Sequence, residues 1–351
     1  MEESTIATKT GVTLNAIQED ANKHSKCIED TNSIKGLFVV KSANRWIEEA
    51  MNRPIPKMLF SEFWHESELC ILFADTNLGK SILAVQIANS ISKGIPIRGF
   101  KLEAVKQQVL YFDFELSDKQ FEVRYSENYT NHYRFNDNFQ RVEINSDVEL
   151  PSGVSFEEFL NQSLEKAIVE TGARILIVDN LTFLGNDNEK AKDALPLMKH
   201  LKALKKHHDL SILVLAHTPK RDSSKPISRN DIQGSKMLIN FADSCFAIGE
   251  SQKDKSIRYL KQIKQRNSEQ VYDAENIIEC EIIKLTNFLE FEFANFGAES
   301  EHLKLFDNTE KEELDSNIVS MKQENPNMSF RQVAKQLGTN PMRVKRILDR
   351  I

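Results

Sequence analysis

The chain has 351 residues, a formal net charge of −6, 40% hydrophobic and 28% charged residues. That balance excludes a disordered chain, and the length allows one large core with a smaller domain beside it. The longest apolar runs, such as 175–178 and 212–216, fall far short of the roughly 20 residues that span a bilayer, so no membrane association is expected.

The start, Met1 to Thr5, is polar and acidic and does not read as a secretory leader. Cys27, Cys70, Cys245 and Cys280 are too scattered for a metal knuckle or a redox pair, which points to a reducing, cytoplasmic setting. Residues 1–41 read as a flexible tail. A helix is expected over 42–53, with Trp46, Ile47 and Ala50 on one face, stopped by Pro54 and Pro56. Short apolar strands follow at 69–74, 108–114, 174–179, 211–216, 244–248 and 258–264. Helices are expected between them at 79–92, 118–127, 155–171 and 193–207. This alternation predicts an α/β fold, a mostly parallel sheet covered by helices on both faces. Strands at 276–283 and 288–293 read as an antiparallel addition. The core domain is thus expected over 42–296. An acidic linker is expected over 297–315, and a basic, all-helical unit over 316–351.

The strongest local signal is Ala74-Asp75-Thr76-Asn77-Leu78-Gly79-Lys80-Ser81, between an apolar strand and an amphipathic helix. This is the context a phosphate-binding P-loop requires. Backbone N–H groups of the loop and helix start are expected to surround phosphates, with Lys80 expected to reach the β- and γ-phosphates and the Ser81 hydroxyl to bind Mg²⁺. Ala74 stands where glycine is usual. The strand over 174–179 ends in Asp179, the Walker B position for a second Mg²⁺ contact. Asn180 follows it, where many P-loop ATPases place a general-base Glu. The strand over 108–114 supplies the replacement: Glu115, just past its end, is the expected group for polarising the attacking water, with Asp113 as the alternative.

Together these motifs resemble the RecA-type ATPases, most closely the RepA-like branch related to hexameric replicative helicases of plasmids and mobile elements. The matching segments are 71–75 running into Lys80-Ser81, 109–115, and Ala216-His217-Thr218, within roughly residues 45–295. The resemblance implies a RecA-like core, ATP and Mg²⁺ as cofactors, and a homo-oligomeric ring, with a hexamer favoured. It implies that His217 senses the γ-phosphate. It also implies that Lys264 and Arg266, in Lys264-Gln265-Arg266-Asn267, form a basic finger that reaches a neighbouring subunit's nucleotide. Arg266 then offsets charge on the transferred phosphoryl group, with Lys264 assisting.

The loop after His217 carries Lys220, Arg221, Lys225 and Arg229, and in related motors such a loop contacts single-stranded DNA. Near the end, 329–337 and 341–350 resemble a helix-turn-helix. Arg343, Lys345 and Arg346 are expected outward on its second helix to meet duplex DNA. His207-His208 reads as a solvated pair at a helix end. Two further functions compete with a helicase-like DNA motor: an ATP-gated DNA-binding regulator or loader, and a nucleotide-dependent scaffold with little turnover.

Overall fold

The computed structural model describes residues 38–180, 191–219, 221–232, 236–304 and 308–349. Most of the expected tail over 1–41, Cys27 included, lies outside the described residues. The chain divides into two units, 1–55 and 56–351. In the first, helix α1 (Ala43–Met51) starts at Ser42, whose hydroxyl accepts from the Arg45 amide, and no residue of the helix is buried.

The second unit opens with an antiparallel pair, β1 (Met58–Phe60) and β2 (Trp64–His65). Next come β3 (Leu69–Ala74), α2 (Lys80–Lys93), β4 (Val109–Asp113), α3 (Asp118–Arg124), and a small hairpin of β5 (Ser126–Glu127) and β6 (Asn131–His132). They are followed by β7 (Phe139–Val142), α4 (Phe156–Thr171), β8 (Ile175–Asp179), α5 (Ala191–His208), β9 (Ser211–His217), α6 (Lys236–Phe241) and β10 (Ser244–Glu250). The sheet is completed by β11 (Ile257–Lys264), β12 (Ile277–Ile283) and β13 (Glu290–Gly297). Helices α7 (Asn308–Glu324), α8 (Phe330–Gln336) and α9 (Pro341–Leu348) come last.

Nine strands form one sheet in the order β13-β12-β11-β10-β3-β9-β8-β4-β7. Neighbours from β10 through β7 are parallel, and those from β10 through β13 are antiparallel. A parallel strand covered on both faces has to be apolar on both, and β3, β8 and β9 are buried almost throughout. Alternate side chains enter opposite cores: Cys70, Leu72 and Ala74 pack with α2, while Leu69, Ile71 and Phe73 pack with α4 and α5. Each buried Leu, Ile or Phe stabilises by roughly 1.5–3 kcal/mol, so the two cores lock the strand register. With register fixed, the polar residues at the carboxyl ends of β3, β9, β8 and β4 arrive at one edge of the sheet.

The α/β architecture agrees with the sequence reading, with several differences. The antiparallel addition begins one strand early, at β11, because only a short turn separates it from β10. The short strands β1, β2, β5 and β6, strand β7 and helix α6 were not expected, and the helix expected over 118–127 ends at Arg124. The predicted acidic linker over 297–315 is largely ordered structure. Glu299 is fully buried against Lys261, Tyr259 and the Ile227 amide, and α7 already begins at Asn308. The last three helices close on Ile318, Val333, Ala334, Val344 and Ile347. Ser329 and Gln332 form a capping box for α8, and Asn340 caps α9 ahead of Pro341.

Candidate nucleotide site

The loop between β3 and α2 turns on Gly79, at φ +93°. A Cβ there would meet Ile282 and Phe291 of the β12–β13 hairpin at 2.8 Å, so both backbone conformation and space demand glycine. Lys80 is buried at the helix start. Its ammonium donates to the carbonyls of Ala74 (3.1 Å) and Asp75 (3.0 Å) and to His217 Nδ1 (3.2 Å). Burial lowers its pKa, against the pull of Glu115, Asp179 and Asp75. The Thr76 amide donates to the Asp75 side chain at 2.7 Å. Ala74, at the first loop position, ends β3 as a buried residue level with His217.

Asp179 ends β8 fully buried. Tyr111, from the neighbouring β4, donates its hydroxyl to Asp179 Oδ2 at 2.6 Å, while Oδ1 has no hydrogen-bond partner among the described residues. Burial raises the Asp179 pKa to about 6, against the lowering influence of the Ser81 and Tyr111 hydroxyls. A buried carboxylate oxygen left without a hydrogen bond, beside the Ser81 hydroxyl in the first turn of α2, is the donor set a hard divalent cation completes. The residues therefore fit Mg²⁺ held by Ser81 and Asp179, beside phosphates held by the loop N–H groups and Lys80.

Strand order explains the rest. β9 lies between β3 and β8, and the register pairs Ala74 with His217 and Asp113 with Asp179. His217 therefore stands between the P-loop and the ends of β8 and β4. Because the Lys80 ammonium can only donate to Nδ1, Nε2 carries the ring proton and donates to Glu115 Oε1 at 3.2 Å. Asn180 donates its amide to the same Glu115 oxygen. Its nitrogen also lies 3.0 Å from His217 Nε2, a contact in which neither nitrogen accepts. The bond from His217 holds the Glu115 pKa below the ordinary glutamate range, so the carboxylate is ionised at neutral pH. Asn180 thus occupies the usual glutamate position and orients the glutamate supplied by the next strand. Asp113, the alternative base, is committed elsewhere: it accepts from Arg141 Nε at 2.8 Å and from the amides of Glu115 and Leu116.

Lys80, Ser81, Asp179, Glu115 and His217 come together; Lys264 and Arg266 do not join them. β11 runs antiparallel to β10, with Lys264 beside Cys245 and Cys245 beside Ile71. The finger therefore emerges near the amino ends of the parallel strands. Ala74 lies three residues, roughly 10 Å, further along β3 in the other direction. Lys264 donates to the Ile239 and Ala242 carbonyls, at 2.6 and 2.7 Å. Arg266 is exposed and donates to Asp243 (3.0 Å) and the Asn240 carbonyl (3.1 Å).

The basic loop is only partly as expected. Lys220 lies outside the described residues. Arg221 turns inward, donating to the Lys225 carbonyl, because the loop folds back onto itself and onto Glu299. Lys225 and Arg229 are exposed. In α9, Lys345 and Arg346 are exposed, but Arg343 is drawn to Asp315 of α7, at 2.8 Å. Sequence reasoning missed Tyr111 as a holder of Asp179. The available signal was a phenol inside an otherwise apolar buried strand, where it needs a polar partner.

The chain matches the family described as AAA domain over residues 41–223. Among solved structures it is similar to a KaiC-like protein from the hyperthermophilic archaeon Pyrococcus horikoshii OT3. That likeness has 12% identity and a TM-score of 0.44, over 65% of this chain and 91% of that one. No curated protein shows significant similarity to the chain. Among the described residues no helix is long and apolar enough to cross a membrane.

Proposed function

The chain belongs to the AAA domain family, and on that premise we propose that it is an ATP-hydrolysing motor that acts on DNA as a homo-oligomeric ring, a hexamer. The observation that carries this reading is the position of Arg266. Its own P-loop opens at the far edge of the sheet, so a phosphoryl group within its reach belongs to another copy. Mg²⁺-ATP supplies the electrophilic γ-phosphoryl group. The P-loop amides and Lys80 hold the phosphates, and Ser81 and Asp179 hold the metal. Glu115, ionised and aimed by Asn180 and His217, polarises the attacking water and takes its proton. His217 touches both Lys80 and Glu115, so it couples the phosphate grip to the base. The exposed Lys225 and Arg229 supply sequence-independent contacts to a phosphate backbone. The finer assignment, to the RepA type that serves replication or mobilisation of a mobile element, rests on motif resemblance.

The test is the ATPase rate with and without single-stranded DNA, run beside native mass measurement in Mg²⁺-ATP. A DNA-stimulated rate in a ring-sized assembly supports the motor. An equal rate with and without DNA at every salt concentration contradicts it. The exposed Lys345 and Arg346 on a capped helix favour a second reading, an ATP-gated duplex-binding regulator or loader. That reading predicts loss of duplex binding when the chain is truncated after residue 315.

A further inference from the structure

Away from the nucleotide, α4 and the last turn of α5 bring three metal-ligating side chains together. Glu165, His207 and His208 offer ligand atoms that all lie within 4.8 Å of one another. His208 Nε2 is 2.9 Å from Glu165 Oε1, and the two imidazoles stack with centroids 4.6 Å apart. His200 sits seven residues before His207 on the same helix. Its Nε2 is buried with no hydrogen-bond partner among the described residues, and so is Asn161 Oδ1. His200, Asn161 and Glu165 line one open cleft of about 270 Å³.

We propose that Glu165, His207 and His208 form a binding site for a divalent ion of the zinc class, with water completing its shell. Imidazole and carboxylate donors suit zinc, nickel and cobalt, whereas Mg²⁺ demands an oxygen shell. Ligand atoms about 2.1 Å from a tetrahedral ion are about 3.4 Å apart, so closure needs movements on the order of 1 Å. Side chains at the surface make such movements by rotamer adjustment. The ion staples α4 to α5, two helices that cover the same sheet face. α5 leads into β9, the strand that ends in His217, but the staple lies at the amino edge of the sheet, opposite the nucleotide. Its role is therefore structural and independent of the ATPase reading.

The experiment uses the full chain without a histidine tag and without nucleotide. Zn²⁺ binding is measured by equilibrium dialysis, and Co²⁺ is added as a spectroscopic probe. The proposal expects one Zn²⁺ per chain, visible d–d bands of low-coordinate Co²⁺, and a melting temperature several degrees higher at saturating Zn²⁺. Glu165→Gln and His208→Ala each lower Zn²⁺ affinity about tenfold or more, and His132→Ala leaves it unchanged. Circular dichroism checks that each variant is folded. Absence of stoichiometric binding overturns the proposal. So does undiminished Zn²⁺ affinity in the folded Glu165→Gln and His208→Ala proteins.

Discussion

Replacing Asp179 with asparagine isolates the cost of burying the carboxylate proposed to hold the metal. In the folded chain its pKa rises from an ordinary 3.8 to about 6, with burial as the leading cause. Above pH 6 the native state therefore carries a charge it would rather neutralise, at about 3 kcal/mol. The sign follows from proton uptake: between pH 4 and 6 the native state binds the proton more tightly than the unfolded chain, so stability falls as pH rises through that window. The asparagine amide removes the charge, and its carbonyl oxygen still accepts from Tyr111. Without Mg²⁺ or nucleotide at pH 8, Asp179→Asn is expected to raise the melting temperature of the ATPase core by about 6 °C. At pH 5 the gain falls to about half, and near pH 4 it nearly vanishes. Mg²⁺-dependent hydrolysis is lost at every pH. Thermal denaturation across that pH series is the assay. A variant less stable than the parent at pH 8, or a gain that does not shrink with acid, refutes the reasoning.

Tyr111→Phe deletes the bond that favours the charged Asp179, so the acid limb of the Mg²⁺-dependent ATPase profile should move up by about one pH unit; an unmoved limb removes Tyr111 from the site. Gly79→Ala forces a side chain into φ +93° and onto Phe291, and should cost about 1–3 kcal/mol together with nucleotide affinity, read by denaturation and nucleotide titration. Glu115→Gln should keep ATP binding while lowering kcat by about 10²-fold or more; retained turnover would return the base to another group. Changing both Lys345 and Arg346 to Ala should weaken duplex binding at all sequences and lower the salt slope by about 2, measured by titration across salt concentrations.

The elements that could be read in the sequence are those whose signal is local. β3, β8 and β9 are buried apolar runs, and the P-loop is contiguous. β7 escaped notice because Phe139 is buried while Gln140 is exposed, the mixed pattern of a short edge strand. The acidic count over 297–315 misled because Glu299 is paired with Lys261, 38 residues earlier, and charge composition cannot see such a pairing. The site divides in the same way. Lys80, Ser81 and Asp179 follow from motif and strand end. The roles of Tyr111 and Asn180 depend on register between strands, and so does the wedge of His217 between Lys80 and Glu115. The Glu165–His207–His208 cluster joins two helices from different parts of the chain, so the histidine pair alone read as a solvated helix end.

The composite site is tested most directly by mixing two variants that each fail alone. Lys80→Ala loses the phosphate grip and Arg266→Ala loses the finger. If the finger acts between copies, a mixed assembly contains intact sites formed by an Arg266→Ala subunit's P-loop and a Lys80→Ala subunit's finger. The account predicts ATPase activity in the mixture well above the sum of the two variants. Mixed assemblies present by native mass measurement, with activity no greater than that sum, would contradict it.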